Sequence, residues 1–515
     1  MKDTERFTGL GDLADAVSRR LAAFEEQDVI RRIWARDHTV WREDPTEITD
    51  RLGWLTVHDA MREHIPRLRE FAAKCAADGL RTAVLAGMGG SSLAPEVFRR
   101  TFGVTEGGLD LIVLDSTHPE QILAVQQAVD VHRTLFVIAS KSGTTTETLS
   151  HFAYFWEQIP DGSRFVAITD PGTPLVELAT ERGFRETFLN PSDIGGRYSA
   201  LSFFGLVNAA LIGTDLEDLL SGAVEMAGAC GPGSPAEANP AARLGAVLGE
   251  AALAGRDKLT LVIGEQVASF GYWIEQLIAE STGKDGKGIL PVEGETLADP
   301  KVYGDDRVFV AIGGMGGQEL SALEDAGHPI VRIPFAVSTS LGGEMFRWEL
   351  ATAVAGAVIG IHPFDQPDVQ SAKDATKKAL EQEGDGELDR GDLRELLGNA
   401  RPGNYLAIQA YLPRSQETEE RLQVVRLRLR DRLRVVTTVG FGPRFLHSTG
   451  QLHKGGPNTG LFVQVVDEPR QDAPIPGKPY TFGRLIGAQA DGDLMALRHR
   501  GRRAVRVSLD ELEGA

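Results

Sequence analysis

Apolar residues follow two rhythms along this chain. Up to about residue 78 they recur at helical spacing, through Leu21, Ala22, Phe24, Trp34, Trp41 and Leu52 to Leu55, amid many charges. That spacing predicts amphipathic helices, a packing layer or a partner surface with no visible chemistry. From Thr82 the apolar residues gather into short unbroken runs at 82–86, 111–115, 135–139 and 165–170. Each run leads into a turn and then a helical pattern. Such runs read as strands buried on both faces, and their alternation with helices predicts a parallel sheet covered on both sides. The pattern restarts at 259–264 and continues at 308–312 and 330–334, with further strand-like runs at 405–411, 434–439 and 461–466. The expected architecture is α/β. N-terminal helices occupy residues 1–78. A doubly wound parallel-sheet domain follows over 79–227, then a helical linker over 228–258 and a second such domain over 259–375. A C-terminal α/β extension over 376–515 is expected to complete the second domain.

Doubly wound sheets bind ligands at the carboxyl ends of their strands, where strand order reverses. Two polar turns stand at such ends. Gly87-Met88-Gly89-Gly90-Ser91-Ser92 follows the first run and precedes a helix with Pro95 in its first turn. Ser140-Lys141-Ser142-Gly143-Thr144-Thr145-Thr146-Glu147-Thr148 follows the third and precedes the helical run Leu149 to Trp156. Open N–H groups at a helix start favour an anion, and hydroxyls rotate to suit phosphate oxygens. A helix cap needs only one Ser or Thr, so six hydroxyls in nine residues point to a phosphate cradle.

Further stretches carry candidate chemistry. Glu280 closes the helical run from Gly271. The negative end of the helix dipole disfavours a charged carboxylate there, which suits a general base; from spacing alone, an exposed last-turn glutamate is the commoner explanation. Gly195-Gly196 ahead of Arg197 lets the backbone approach a neighbour closely. Glu344 follows Gly342-Gly343 near the start of an apolar helix, where a negative charge is at home without any catalytic duty. Lys373 shares a helix face with Val369, and either lays its stem over apolar surface or points into a cleft. His447, His453 and Lys454 occupy a glycine-rich turn. The glycine turn 313–317 echoes the first one without its hydroxyls.

Composition narrows the field. The charge of −19 argues against a nucleic-acid partner and makes an anion site collect its own positive charge. No apolar run approaches the roughly 20 residues that span a bilayer, so no membrane role is expected. Two cysteines far apart, Cys75 and Cys230, and a polar N-terminus suit a reduced, cytoplasmic setting. No metal-ligand spacing is visible.

In chain order, several motifs resemble those of glucose-6-phosphate isomerases of the sugar-isomerase (SIS) fold. They are Gly89-Gly90-Ser91, Ser140 to Thr145, Gly195-Gly196-Arg197-Tyr198-Ser199, Glu280-Ser281-Thr282-Gly283-Lys284, and Phe364-Asp365-Gln366 with Lys373. The likeness runs from about residue 80 to about 375. It is strongest to the bacterial branch often fused to a transaldolase, where the histidine turn is also familiar. The resemblance implies two SIS-type domains and an aldose–ketose isomerase. Such an enzyme interconverts glucose 6-phosphate and fructose 6-phosphate by ring opening and an enediol(ate). It implies that Gly90, Ser91, Ser140, Ser142 and Thr145 hold the phosphate, with Lys141 and Thr144 nearby. Glu280 would move the proton between C1 and C2, Arg197 would stabilise the enediolate, and Lys373 would serve the ring oxygen. No metal or cofactor is implied. Where the family has Gly-Gln-His for ring opening, this chain has Gly342-Gly343-Glu344, which leaves Glu344, His447 or His453 for that step. A homodimer is expected by the same resemblance. A transaldolase barrel needs roughly 200 or more residues, so none is expected in the 80 before the first unit.

Rival readings remain at this stage. Gly87-Met88-Gly89-Gly90 with Asp115 mimics a dinucleotide fingerprint, but Ser92 stands where the third glycine belongs. A non-catalytic SIS-type sensor of sugar phosphates needs no joint Glu280, Arg197 and Lys373. An isomerase of mannose 6-phosphate or of an amino sugar is the third alternative.

Overall fold

The computed structural model describes residues 6–314, 317–335, 337–368, 376–380 and 389–515. The N-terminal layer is helical as expected, with its longest helices at Ala14–Glu26 and Ile65–Ala77. It also contains an unforeseen strand, β1 (Arg6–Gly9).

The first sheet holds β2 (Thr82–Gly87), β3 (Asp110–Leu114), β4 (Thr134–Ala139), β5 (Phe165–Thr169) and β6 (Glu186–Leu189) in the order β3-β2-β4-β5-β6. All four pairings are parallel. The chain steps from β2 outward to β3, then back across β2 to β4. Strand order therefore reverses between β2 and β4, and the two polar turns leave from the carboxyl ends of those strands. The second sheet holds β7 (Lys258–Ile263), β8 (Leu290–Val292), β9 (Arg307–Ile312) and β10 (Ile330–Ile333). Its order is β1-β10-β9-β7-β8, parallel except where β1 runs antiparallel along β10. The third sheet holds β11 (Tyr405–Tyr411), β12 (Val436–Phe441), β13 (Gly460–Val466) and β14 (Arg503–Val507), ordered β12-β11-β13-β14 and wholly parallel. The C-terminal extension thus has a sheet of its own and adds no strand to the second.

A long apolar helix, Val337–Ile359, is buried against the helices Leu216–Ala229 and Pro240–Leu253. Gly342 permits this closeness: a Cβ there would lie 2.0 Å from the Leu219 carbonyl oxygen. The N-terminal layer acts as a buttress. Trp54, fully buried, stacks on Tyr198 at 5.2 Å, and the Trp41 indole N–H donates to the Ala353 carbonyl. Among the described residues no helix is long and apolar enough to cross a membrane.

Candidate active site

The two turns at the strand-order reversal are built differently. At Gly90 the chain presses against a second glycine loop: a Cβ on Gly90 would lie 2.0 Å from the Gly196 carbonyl oxygen. Only a glycine fits this backbone-to-backbone contact, which sets the turn of Ser91 against the turn that carries Arg197. The Ser91 side chain is buried and bonds no other described residue. The hydroxyl loop is internally tied. Ser140 Oγ and Thr145 Oγ1 pair at 2.8 Å, Ser142 Oγ and Thr144 Oγ1 at 2.9 Å, and the Gly143 N–H donates to Ser140 Oγ. Thr145 caps the helix Thr146–Gln158 without a side-chain cap bond, so first-turn N–H groups stay open to an anion. Lys141 does not reach inward. Its ammonium pairs with Asp170 and donates to the Ser192 carbonyl.

Glu280 ends the helix Phe270–Thr282 as the spacing predicted, but it is not an idle surface group. Its side chain is only 13% exposed, and Oε1 lies 3.3 Å from Arg197 Nη1. Arg197 is 1% exposed and fixed on every side. Nε donates to Ser281 Oγ at 2.7 Å and Nη1 to Gln366 Oε1 at 2.8 Å. Nη2 donates to the carbonyls of Pro363 at 2.7 Å and Asp365 at 3.0 Å. Lys284, in the turn after Glu280, donates to Asp365 at 2.6 Å; burial, then Arg197, lowers its ammonium to about 8. A carboxylate and a locked guanidinium side by side can pass a proton and hold the negative charge that results.

His447 joins this pair to the hydroxyl loop. It closes a turn, Arg444–His447, just beyond β12. Its carbonyl accepts from Gln276 Nε2 at 2.8 Å, and the same amide donates to Glu280 Oε2 at 3.0 Å. Its ring Nε2 lies 3.1 Å from Glu147 Oε1 in the first turn of the hydroxyl-loop helix, and Gln489 donates to that same oxygen. Burial raises the Glu147 carboxyl, but the facing imidazole more than offsets this and holds it at about 2.

The other ring-opening candidates lie elsewhere. His453 is buried among Tyr405, Phe445 and Phe462 in the third sheet's core, where burial drives its imidazole well below the usual range. Glu344 is buried in the helix Val337–Ile359 with Arg347 at 3.2 Å. Among the described residues no contact joins Glu344 to Glu280, Arg197 or the hydroxyl loop. Lys373 falls outside the described residues. Three side chains were missed by sequence reasoning. Gln276 stands four residues before Glu280, a spacing that shares a helix face and was open to view. Glu147 sat inside the hydroxyl motif without a role. Gln489 had no signal, since it arrives from the helix Phe482–His499 in the far C-terminal part.

Parallel sheets with a hydroxyl-rich loop at the strand-order reversal and a buried Glu280–Arg197 pair fit the class of sugar-phosphate isomerases. Comparison with known proteins gives the same class. A phosphoglucose isomerase family model matches residues 32–296. The glucose-6-phosphate isomerase of Rubrobacter xylanophilus is 29% identical over 374 residues, covering 61% of this chain and 86% of that protein. That of Enterococcus faecalis is 27% identical over 388 residues, covering 63% and 86%. Among solved structures, a hypothetical protein from Thermus thermophilus superposes with a TM-score of 0.63 at 25% identity, over 74% of this chain and all of its own. A Chlamydia trachomatis glucose-6-phosphate isomerase shares the fold, with a TM-score of 0.58 at 19% identity over 72% and 86%. The chain belongs to the phosphoglucose isomerase family.

Proposed function

We propose that the chain interconverts glucose 6-phosphate and fructose 6-phosphate through an enediol(ate). The phosphate sits against Gly90, Ser91 and the hydroxyls of Ser140, Ser142, Thr144 and Thr145. Binding exchanges the loop's internal hydroxyl pairs for bonds to phosphate oxygens. His447, oriented by Glu147, opens the ring, and Lys373 is the family's second group for that step. Glu280 takes the proton from one carbon and returns it to its neighbour. Arg197, already immobile, meets the developing oxyanion charge without reorganising. One observation supports this reading above the others: Glu280 stands against Arg197 and is linked through Gln276 and His447 to the first turn of the hydroxyl-loop helix. A homodimer in the cytoplasm is part of the same reading.

A coupled assay for glucose 6-phosphate formed from fructose 6-phosphate tests the reading, with mannose 6-phosphate and an amino-sugar phosphate in the same panel. Turnover fastest on glucose 6-phosphate and fructose 6-phosphate is expected. Binding of fructose 6-phosphate without turnover would make the protein a sensor, and preference for another sugar would reassign the substrate.

A further inference from the structure

The helix that carries Glu280 in its last turn begins at the wall of a cavity about 320 Å³ in volume. All three sheet-bearing units meet there. Leu93 comes from the helix after β2, Tyr272 and Glu275 from the catalytic helix, and Arg426 from the helix Gln416–Leu433. Phe441 and Arg444 close it from the end of β12 and the turn behind. No side chain placed in the candidate active site lines it. A neighbouring cavity of equal volume shares Arg414 and Glu419 with it and adds Arg99 and Arg100.

The local charge runs against that of the molecule. In a chain of net charge −19, three guanidinium groups converge on one ring. Arg444, Arg414 and Arg100 stand 5.0, 5.4 and 5.9 Å from the centre of Tyr272. Each commits Nε to a carboxylate: Arg414 to Glu419, Arg100 to Glu96 and Arg444 to Asp115. Among the described residues their terminal Nη groups have no hydrogen-bond acceptor. Glu275 and Glu293 line the same cavity, and neither carboxyl has a hydrogen-bond or ion-pair partner among those residues. Burial, and after it Glu293, raises the Glu275 carboxyl to about 8, so at neutral pH it is a hydrogen-bond donor and not a repelling charge. Guanidinium forks with open donors grip phosphate in pairs, and an anion between them relieves their mutual repulsion.

We propose that this cavity is a second ligand site for a small hydroxylated phosphate, held at its head by Arg414 and Arg444 and at its hydroxyls by Glu275 and Glu293, and that its filling is felt at Glu280. Two elements touch both sites. Tyr272, Gln276 and Glu280 stand at four-residue intervals along one stripe of the same helix. The turn that carries His447 also carries Arg444 and Phe445 into the cavity wall.

Equilibrium titration of the full chain with inorganic phosphate is expected to reveal two classes of site. Arg414→Gln should weaken one class at least tenfold and spare the other, while Ser140→Ala should do the reverse. Glu420→Trp plugs the mouth from an exposed position and leaves the arginines in place, which covers the case in which Arg414→Gln does not fold. At saturating sugar phosphate, inorganic phosphate should change kcat at least twofold in the wild type and act only on apparent KM in Arg414→Gln. A single class of phosphate site in the wild type, or two classes surviving both cavity substitutions, overturns the site. An unchanged kcat overturns the coupling. The titration involves no turnover, so its failure is separate from failure of the isomerase reading.

Discussion

The Arg197 guanidinium donates four hydrogen bonds and pairs as an ion with Glu280, so the two residues form one device. Glu280→Gln keeps the shape of that device and removes its basicity. It is expected to lower kcat by about a thousandfold, within the usual range for a general base, while a non-reacting phosphate ligand binds almost as before. Turnover within tenfold of wild type would reject Glu280 as the base. His447 and Glu147 touch at 3.1 Å, so His447→Asn and Glu147→Gln should each slow turnover by about ten- to a hundredfold. Combined, they should cost much less than the product of the two; simple multiplication would show that the pair does not act as a unit. At this scale the sequence revealed the motif residues but not their partners. Spacing alone favoured an idle Glu280, because the guanidinium that occupies it lies 83 positions earlier in the chain. It also left three ring-opening candidates, and of these His447 is the one whose ring meets the hydroxyl-loop helix and whose carbonyl meets Gln276.

The strands show why some elements are readable and others are not. Unbroken apolar runs revealed ten strands of the three sheets. The missed ones lack that signature. β1, with only four residues, pairs along a single edge. β6 is an edge strand with Leu189 44% exposed, and β8 has three residues with a proline among them. β14 begins in a basic cluster that reads as a solvated face, because Arg503 and Arg506 interrupt the few apolar residues it buries and break any period-2 pattern. The junction of the two glycine turns was equally hidden, since a glycine pair reveals closeness but not to what. Gly90→Ala puts a methyl group against backbone that cannot yield. It should destabilise the fold by about 1–3 kcal/mol and cut activity more than tenfold, measured by thermal melting and the coupled assay. An unchanged melting temperature would mean that the two turns separate easily.

Taken whole, the molecule hides ionisable groups that the sequence presents as ordinary. Burial is the main reason that His118, His151 and His362 are each lowered to about 4. Between about pH 6.5 and 4 the unfolded chain takes up protons that the native one refuses. The histidine contribution to stability should therefore fall as pH falls through that window, opposed there by buried carboxyls such as Glu275 that the native state keeps protonated. The fully buried His151 alone accounts for on the order of 3 kcal/mol. Urea midpoints of the wild type and His151→Gln from pH 7 down to 4 test this: the wild type should lose more stability toward pH 4, and parallel profiles would contradict it. Nothing in the sequence pattern hinted that the strands within residues 405–507 close a sheet among themselves and deliver His447 across to the first. The pairing of β1 with β10 reaches further still. It joins residues 6–9 to residues made more than 320 positions later. On a ribosome adding roughly 5–20 residues each second, the leading strand waits about a quarter of a minute to a minute for its mate. During that interval the edge of β1 is an unclaimed template, so a chaperone that shields the nascent β1 segment should matter more to the yield of this protein than to its final stability.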